Sequence, residues 1–240
     1  YTRNLLKMNL YFVLEGEKTE VKLYPKWIEY VLPELKQVYF EKDVISNNYY
    51  IFSGGGIPSI YNHIINSIKN INDNPIFDKL IVCLDGEEIG TEKRIEIVKR
   101  KIEEAGVEII NNCEIVFIVQ NVCIETWFLG NRKIVKRNPD PAISNSNLDT
   151  FLNHFNVINE DPEFMGKIEG HRNKADSHFL YLREIFKEHN LRYSKSNPKL
   201  VLEKTYFDEL LKRTEESTHL PTLKYFLDFL SNLRIQILKK

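Results

Sequence analysis

The sequence is poor in the features that mark membrane, secreted and metal-thiolate proteins. It has 3 cysteines in 240 residues, and Cys83, Cys113 and Cys123 stand in or beside apolar runs without regular spacing. This pattern indicates neither a disulfide framework nor a zinc site, and we expect buried thiols in a reducing compartment. No apolar stretch approaches the ~18 residues of a membrane span, and the first residues lack the features of a secretory signal. We therefore expect a cytoplasmic protein that does not enter a membrane.

The chain also lacks an excess of charge of either sign, because its formal net charge is -1. The two halves differ, however. Residues 1–128 carry 14 basic and 19 acidic side chains, whereas residues 129–240 carry 19 basic and 15 acidic ones. This division suits a metal site next to a phosphate-binding surface, and chance variation among solvated faces explains it equally well. With so little net charge, nucleic-acid binding would have to be selective or depend on a homodimer or a partner protein.

What the first half does contain is a regular alternation of buried strands and helices. Apolar runs predict four strands, at 10–14, 48–52, 79–84 and 114–119, and helical spacing predicts helices at 19–35, 57–71 and 91–106. Strands that are apolar throughout and alternate with helices are typical of a mostly parallel sheet covered on both faces. The predicted fold class is therefore α/β, with one domain over residues 8–130.

The second half has a different composition. A segment rich in Pro, Asn and Ser at 131–147 marks a boundary, and helical spacing then recurs at 178–189, 204–216 and 220–238. We predict a mainly helical C-terminal region over 131–240.

Carboxylates follow three of the predicted strands. Glu15 follows the first strand, Asp85 comes after the third with Glu87 and Glu88, and Glu125 follows the fourth. The carboxyl ends of parallel strands meet at one edge of a sheet, and carboxylates gathered there repel one another unless a cation lies among them. Hard oxygen ligands suit Mg²⁺ or Mn²⁺, which could activate water beside a phosphoryl group.

Simpler explanations stay open for most of these acids. Acidic side chains near helix N-termini are favoured by the helix dipole, which alone accounts for Glu17, Glu20, Glu88 and Glu92. Glu125 could be a fully hydrogen-bonded acid beside a buried Trp127. Glu15 and Asp85 are harder to explain in this way, because each directly follows an apolar strand.

Several basic residues are candidates for phosphate contacts with a nucleic acid. They are Lys18, Arg132, Lys133, Lys136, Arg137, Lys174 and Lys195. Tyr193 and Lys195 could form a stacking and phosphate-binding pair. The segment SGGG at 53–56 lacks the pattern of a nucleotide P-loop. We interpret it as a tight turn, and a phosphate contact by Ser53 or Gly55 stays open as an alternative. Each basic run could equally be an ordinary solvated surface.

Over residues 8–130 the sequence resembles the Toprim domain. That family carries a Glu-Gly turn after its first strand and an Asp-x-Asp pair after its third, which LEGEKTE and CLDGEE match here. The segments EGEKTE and NVCIETWFLGN are most similar to the RloB-like and OLD-like Toprim nucleases of bacterial phage defence, and the chain also resembles the Toprim effector of the ATPase-plus-nuclease system called PARIS. The resemblance implies that Glu15, Asp85 and Glu87 are catalytic or metal-binding, with Glu125 as a fourth site residue. The chain departs from the family in having Asp85-Gly86-Glu87, and Glu88 could replace Glu87.

The resemblance implies a Mg²⁺- or Mn²⁺-dependent endonuclease that cuts DNA or RNA, tRNA included. It further implies a toxic effector of abortive infection, controlled by an ABC-type or AAA ATPase partner. Two other functions remain open: a Toprim-like scaffold that binds nucleic acid or a partner without chemistry, and nucleotidyl transfer, for which the short chain offers little room.

Overall fold

The chain folds around a five-stranded, all-parallel sheet. A computed structural model describes residues 7–135 and 146–239. Its strands are β1 (Leu10–Leu14), β2 (Lys36–Val38), β3 (Asn48–Ser53), β4 (Lys79–Asp85) and β5 (Glu114–Gln120), in the spatial order β2-β3-β1-β4-β5. Helices alternate with the strands and then continue alone. This confirms the predicted α/β class and the helical C-terminal region.

The described residues form eight α-helices. They are α1 (Glu20–Val31), α2 (Ser59–Asp73), α3 (Gly90–Glu104), α4 (Ile124–Phe128), α5 (Ser146–His154), α6 (Lys174–Lys187), α7 (Lys204–Glu216) and α8 (Pro221–Leu238). Within the same residues, none of these helices is both long and apolar enough to cross a bilayer.

Burial of the strands explains why they read as continuous apolar runs. Every residue of β1 is buried, and β1 lies in register between β3 and β4. On one face the isoleucine stripe of α2, which includes Ile60, Ile64 and Ile68, packs into a cluster with Val13 and Val82. Removal of these side chains from water is the main favourable term for the sheet.

The structure adds elements that the sequence pattern did not predict. β2 is a three-residue edge strand of sequence Lys-Gln-Val, too short and too polar to show as an apolar run. α4 is five residues long, which is less than two helical turns, so no periodicity could reveal it. α5 was also missed.

The chain forms two compact units that are not contiguous in sequence. The sheet unit comprises residues 1–84, 92–119 and 225–240, and the helical unit comprises residues 85–91 and 120–224. The predicted domain boundary between residues 130 and 131 stays a prediction.

The three cysteines are free and buried, as predicted from their apolar surroundings.

Candidate functional site

Within the helical unit, the turn after β4 is joined to the turn after β5 by backbone hydrogen bonds. The N–H of Gly86 donates to the carbonyl of Gln120 at 2.8 Å, and the N–H of Glu87 donates to the carbonyl of Val122 at 2.8 Å. Gly86 allows this close approach, because a Cβ there would lie 2.7 Å from the Gln120 oxygen and 2.8 Å from the Asn121 oxygen. The segment that begins with Asp85 is therefore fixed beside the segment that leads into α4.

Glu125 lies in the first turn of α4 and is almost completely enclosed. Its side chain is 1% exposed, and its Oε1 atom accepts a hydrogen bond from the hydroxyl of Tyr193 at 3.0 Å. The ammonium of Lys195 lies 3.8 Å from the same oxygen, on a side chain that is 50% exposed. Its other oxygen, Oε2, is shielded from solvent and has no hydrogen-bond donor among the described residues. Glu125 is therefore not the fully satisfied acid of the simpler explanation.

Such a carboxylate is costly for the folded state. A buried charge needs hydrogen bonds or counter-charges to offset lost hydration, and an unmade bond costs roughly 1–3 kcal/mol. Buried polar atoms without partners are rare in native proteins and call for a specific cause. A ligand or cation that meets Oε2 is one such cause.

A buried histidine holds α4 in position. The N–H of Cys123 donates to Thr126 Oγ1 at 3.2 Å, and Thr126 Oγ1 lies 2.8 Å from His178 Nδ1. His178 Nε2 is 3.0 Å from the carbonyl oxygen of Met165, so Nε2 carries the proton and Nδ1 accepts from Thr126. Burial lowers the pKa of His178 to about 4, which keeps the ring neutral at physiological pH. His178 thus acts as a structural acceptor.

Cys123 lies among the charged groups of this region but is not reactive. Burial is the main cause that raises the pKa of its thiol well above the ordinary value, and the negative charges of Glu125 and Asp85 raise it further. A protonated, enclosed thiol is neither a nucleophile nor a metal ligand. Asp85 and Glu125 therefore both lie near enough to Cys123 to affect its thiol.

The other two acids of the Asp-Gly-Glu-Glu segment, Glu87 and Glu88, are both exposed. Glu87 is exposed and adopts a left-handed backbone conformation with φ of 47°. Glu88 Oε1 accepts a hydrogen bond from the backbone N–H of Lys174 at 2.6 Å, at the first residue of α6. This contact is what the helix-dipole interpretation predicts, although the helix is α6 rather than α3.

Glu15 belongs to the sheet unit and ends β1. Its N–H donates to the carbonyl of Cys83 at 3.0 Å, and its carbonyl accepts from Gly56 at 3.0 Å. A Cβ at Gly16 would lie 2.0 Å from the carboxylate of the buried Glu20, so that side chain would have to move. Glu15 therefore stands at the carboxyl end of a central strand, as the sequence predicted.

The turn after β3 is tied to this segment as well. Ser53 Oγ donates to the carbonyl of Gly16 at 3.2 Å, and both Gly55 and Gly56 have positive φ angles. These contacts support the interpretation of SGGG as a tight turn.

The described acids offer few ligands for a Mg²⁺ or Mn²⁺ ion. Among residues 7–135 and 146–239, no three acidic, histidine or cysteine side chains are grouped so as to hold a metal ion. Mg²⁺ in phosphoryl-transfer sites is commonly held by one or two carboxylates together with water and substrate phosphates. Glu125 Oε2 has no donor among the described residues, and Asp85 lies near enough to Cys123 to raise the pKa of its thiol.

The predicted nucleic-acid contacts are distributed over several surfaces. Lys18 is exposed beside the β1 turn, Lys174 is half-buried at the start of α6, and Lys195 is the ammonium beside Glu125. Arg132 and Lys133 line a cavity described below. Lys136 and Arg137 lie outside the described residues.

One expectation from the sequence is wrong. Tyr193 is buried against Phe128, Phe179 and Phe186, so its ring is not a platform on which a base could stack.

The sequence did not reveal which residues hold Glu125 and its helix in position. Thr126 and His178 are 52 residues apart, and Tyr193 is 68 residues from Glu125. Nothing in a linear pattern pairs residues at such distances.

Comparisons with protein-family models, with curated proteins and with solved structures gave no match to this chain.

Proposed function

We propose that the chain is a Mg²⁺- or Mn²⁺-dependent nuclease that hydrolyses phosphodiester bonds in DNA or RNA. The observation that carries the proposal is Glu125, an enclosed carboxylate with an unpartnered oxygen and a half-exposed lysine ammonium beside it. Metal-dependent hydrolysis of a phosphodiester uses hard oxygen ligands to hold the metal ion and cationic groups to stabilise charge on the phosphoryl oxygens.

Asp85 and Glu125 are the residues that would hold the cation. When bound, the ion supplies an activated water at neutral pH and neutralises charge on the phosphoryl oxygens. Tyr193 fixes the orientation of Glu125 through its hydrogen bond to Oε1, which leaves Oε2 for the ligand. Lys195 stabilises negative charge that develops on the phosphoryl group in the transition state. Glu15, a residue of the sheet unit, enters the proposal through the Toprim resemblance alone.

The experiment compares matched acid-to-amide variants on plasmid DNA and on total cellular RNA, with Mn²⁺ and with EDTA. Asp85→Asn and Glu125→Gln are expected to lower cleavage by roughly 10²-fold or more, because each removes a charged ligand of the cation. Glu215→Gln is the control, since Glu215 is an exposed acid of the same unit. Cleavage that persists in EDTA, or that survives both site substitutions, would overturn the proposal.

A catalytically silent, Toprim-like binding scaffold is the second candidate. It is favoured by the engagement of Glu88 with α6 and by the lack of a three-residue metal group among the described residues. Calorimetric titration with Mn²⁺ separates the two functions. Binding that weakens in both Asp85→Asn and Glu125→Gln supports the nuclease, whereas titrations identical in wild type and both variants support the scaffold.

A role as the toxic effector of anti-phage defence, controlled by an ATPase partner, rests on the resemblance of EGEKTE and NVCIETWFLGN alone. Expression of the wild type and of Glu125→Gln in bacteria tests it, because only the active enzyme should arrest growth.

A further inference from the structure

A second polar feature of the helical unit lies beyond α4. A cavity of about 450 Å³ is lined by four basic side chains, Arg132, Lys133, Lys212 and Arg213, together with Glu209 and Glu216. The two acids are already engaged with the two lysines: Glu209 with Lys133, and Glu216 with Lys212 at 3.6 Å. The cavity therefore holds two guanidinium groups whose charge its own acids do not neutralise.

Arg213 is a fixed positive charge. It is buried, and its donors are occupied by the carbonyls of Gly130, Val157 and Glu160 and by His219 Nδ1, at 2.7 to 3.3 Å. Carbonyl oxygens satisfy the hydrogen bonds of a guanidinium without cancelling its charge. The pKa of Arg213 is lowered to about 10, and burial is the largest cause. Repulsion from Arg132 also lowers it, by more than attraction to Asp161 raises it.

Arg132 supplies the unsatisfied donor. Its Nε is shielded from solvent and has no hydrogen-bond partner among the described residues. A guanidinium with a free, enclosed donor next to a second guanidinium is unfavourable unless an anion joins them. Phosphate, like carboxylate, has oxygens whose spacing matches a guanidinium fork.

An adjoining cavity of about 450 Å³ indicates what carries the phosphate. It shares Lys133 and Glu209 with the first cavity. Its lining combines apolar and aromatic side chains with polar ones, and it includes Ile134, Leu191, Leu200, Tyr206, Asn131, Thr205, His189 and Asp208. Apolar and aromatic walls with a few polar groups are typical of sites for a planar organic ligand. An inorganic ion would leave this second cavity without a function.

We propose that the two cavities form a nucleotide-binding site, with the phosphate against Arg132 and the base in the cavity lined by Leu191 and Tyr206. Arg132 contributes direct hydrogen bonds, and Arg213 contributes charge while it anchors the surrounding loops. The phosphate belongs either to a free nucleotide or to the 5′ end of a nucleic-acid strand. This inference does not depend on the proposed hydrolysis, because binding is measured without turnover.

The test uses full-length protein and four probes in calorimetric titrations: adenosine 5′-monophosphate, adenosine, inorganic phosphate and a 5′-phosphorylated oligonucleotide. Arg132→Gln is expected to weaken binding of the monophosphate by roughly tenfold or more, as a charged hydrogen bond is lost. Leu191→Ala should weaken binding of the monophosphate but leave binding of inorganic phosphate unchanged. Arg183→Gln is the charge-matched control, because Arg183 is exposed and lines neither cavity.

Equal losses in Arg132→Gln and Arg183→Gln would show non-specific attraction and overturn the proposal. A monophosphate that binds no more tightly than inorganic phosphate, or no more tightly than adenosine, would also overturn it. The ratio of monophosphate to oligonucleotide affinity distinguishes the two sources of the phosphate. Arg132 is half-buried and makes no described hydrogen bond, so thermal melting should show that its glutamine variant stays folded.

Discussion

Individual buried charges determine the chemistry of the helical unit. Glu125 keeps one oxygen unpartnered, whereas Glu163 has its Oε1 fully engaged by the N–H of Thr222 at 3.0 Å and the hydroxyl of Thr222 at 2.6 Å. Two buried carboxylates in one unit thus have opposite environments. Glu163 holds the start of α8 through these bonds, and the second oxygen of Glu125 has no such donor.

Lys195 is expected to act on the transition state more than on substrate binding. Lys195→Gln should lower kcat by roughly 10- to 100-fold with little change in KM, because an ammonium beside the phosphoryl group is lost. Steady-state cleavage of a fluorogenic oligonucleotide measures both constants. Lys195→Arg keeps the charge and should recover part of the rate. An unchanged kcat in Lys195→Gln would remove Lys195 from the chemistry.

Glu163 makes stability depend on pH in a predictable direction. Burial raises the pKa of its carboxyl from 4.5 to about 7, against the opposing hydrogen bonds from Thr222. Between these two values the folded state retains a proton that the unfolded state releases, so stability falls as pH rises through the window. Glu163→Gln keeps the Oε1 acceptor and removes the titration.

Urea unfolding at about pH 5 and about pH 8 measures this effect. Between these two pH values the free energy of unfolding of the wild type should fall by on the order of 2 kcal/mol more than that of Glu163→Gln. His178 acts in the opposite sense, because its lowered pKa removes stability as pH falls from 6.5 towards 4, and it contributes equally to both proteins. Parallel pH profiles would contradict the assignment.

At the scale of elements, the short helix α4 depends on side chains from elsewhere in the helical unit. Five residues cannot form a stable helix alone, and Thr126 joins the start of α4 to His178 of α6. The indole of Trp127 in the same helix donates to Thr222 Oγ1 at 2.8 Å, at the start of α8. The position of Glu125 is therefore set by tertiary contacts.

Thr126→Val should destabilise the protein by about 2–4 kcal/mol, because Cys123 N–H and His178 Nδ1 each lose a buried partner. Guanidinium unfolding followed by circular dichroism measures the change. Thr126→Ser retains the hydroxyl and should cost less than half as much. If both substitutions cost the same, the methyl group rather than the hydrogen bonds holds α4.

At the scale of the whole molecule, the segment after residue 224 packs within the sheet unit. Residues 225–240 belong to the sheet unit, where the ring of Phe226 lies 5.2 Å from that of Tyr24 in an edge-to-face arrangement. Arg234 also bonds to Glu34, with Nε 3.1 Å from the carboxylate. The C-terminal end of α8 is thus part of the packing around α1.

Phe226→Ala should lower the free energy of unfolding by about 3–5 kcal/mol, since a fully buried ring is removed from a packed core. Tyr225→Ala is the neighbouring control: Tyr225 is 54% exposed and should cost under about 1 kcal/mol. Thermal and denaturant unfolding of both variants test the difference. Similar losses in the two would show that Phe226 is not a core contact.

Much of the fold could be predicted from the sequence, because its signals are local. The isoleucine stripe of α2 and the uniformly apolar β1 each show their burial within a dozen residues. The edge strand β2 and the helix α4 could not be predicted, since short elements owe their form to neighbours distant in sequence.

The candidate site, like the fold, could be predicted from the sequence only in part. The sequence by itself determined which acids follow the strands, because strand ends can be read from apolar runs: Glu15, Asp85 and Glu125 all lie there. Only the tertiary structure decided that Glu125 is enclosed beside Lys195, that Tyr193 is a buried donor and that Glu88 binds α6. These outcomes depend on hydrogen bonds between residues 68 to 86 positions apart, which no local pattern specifies.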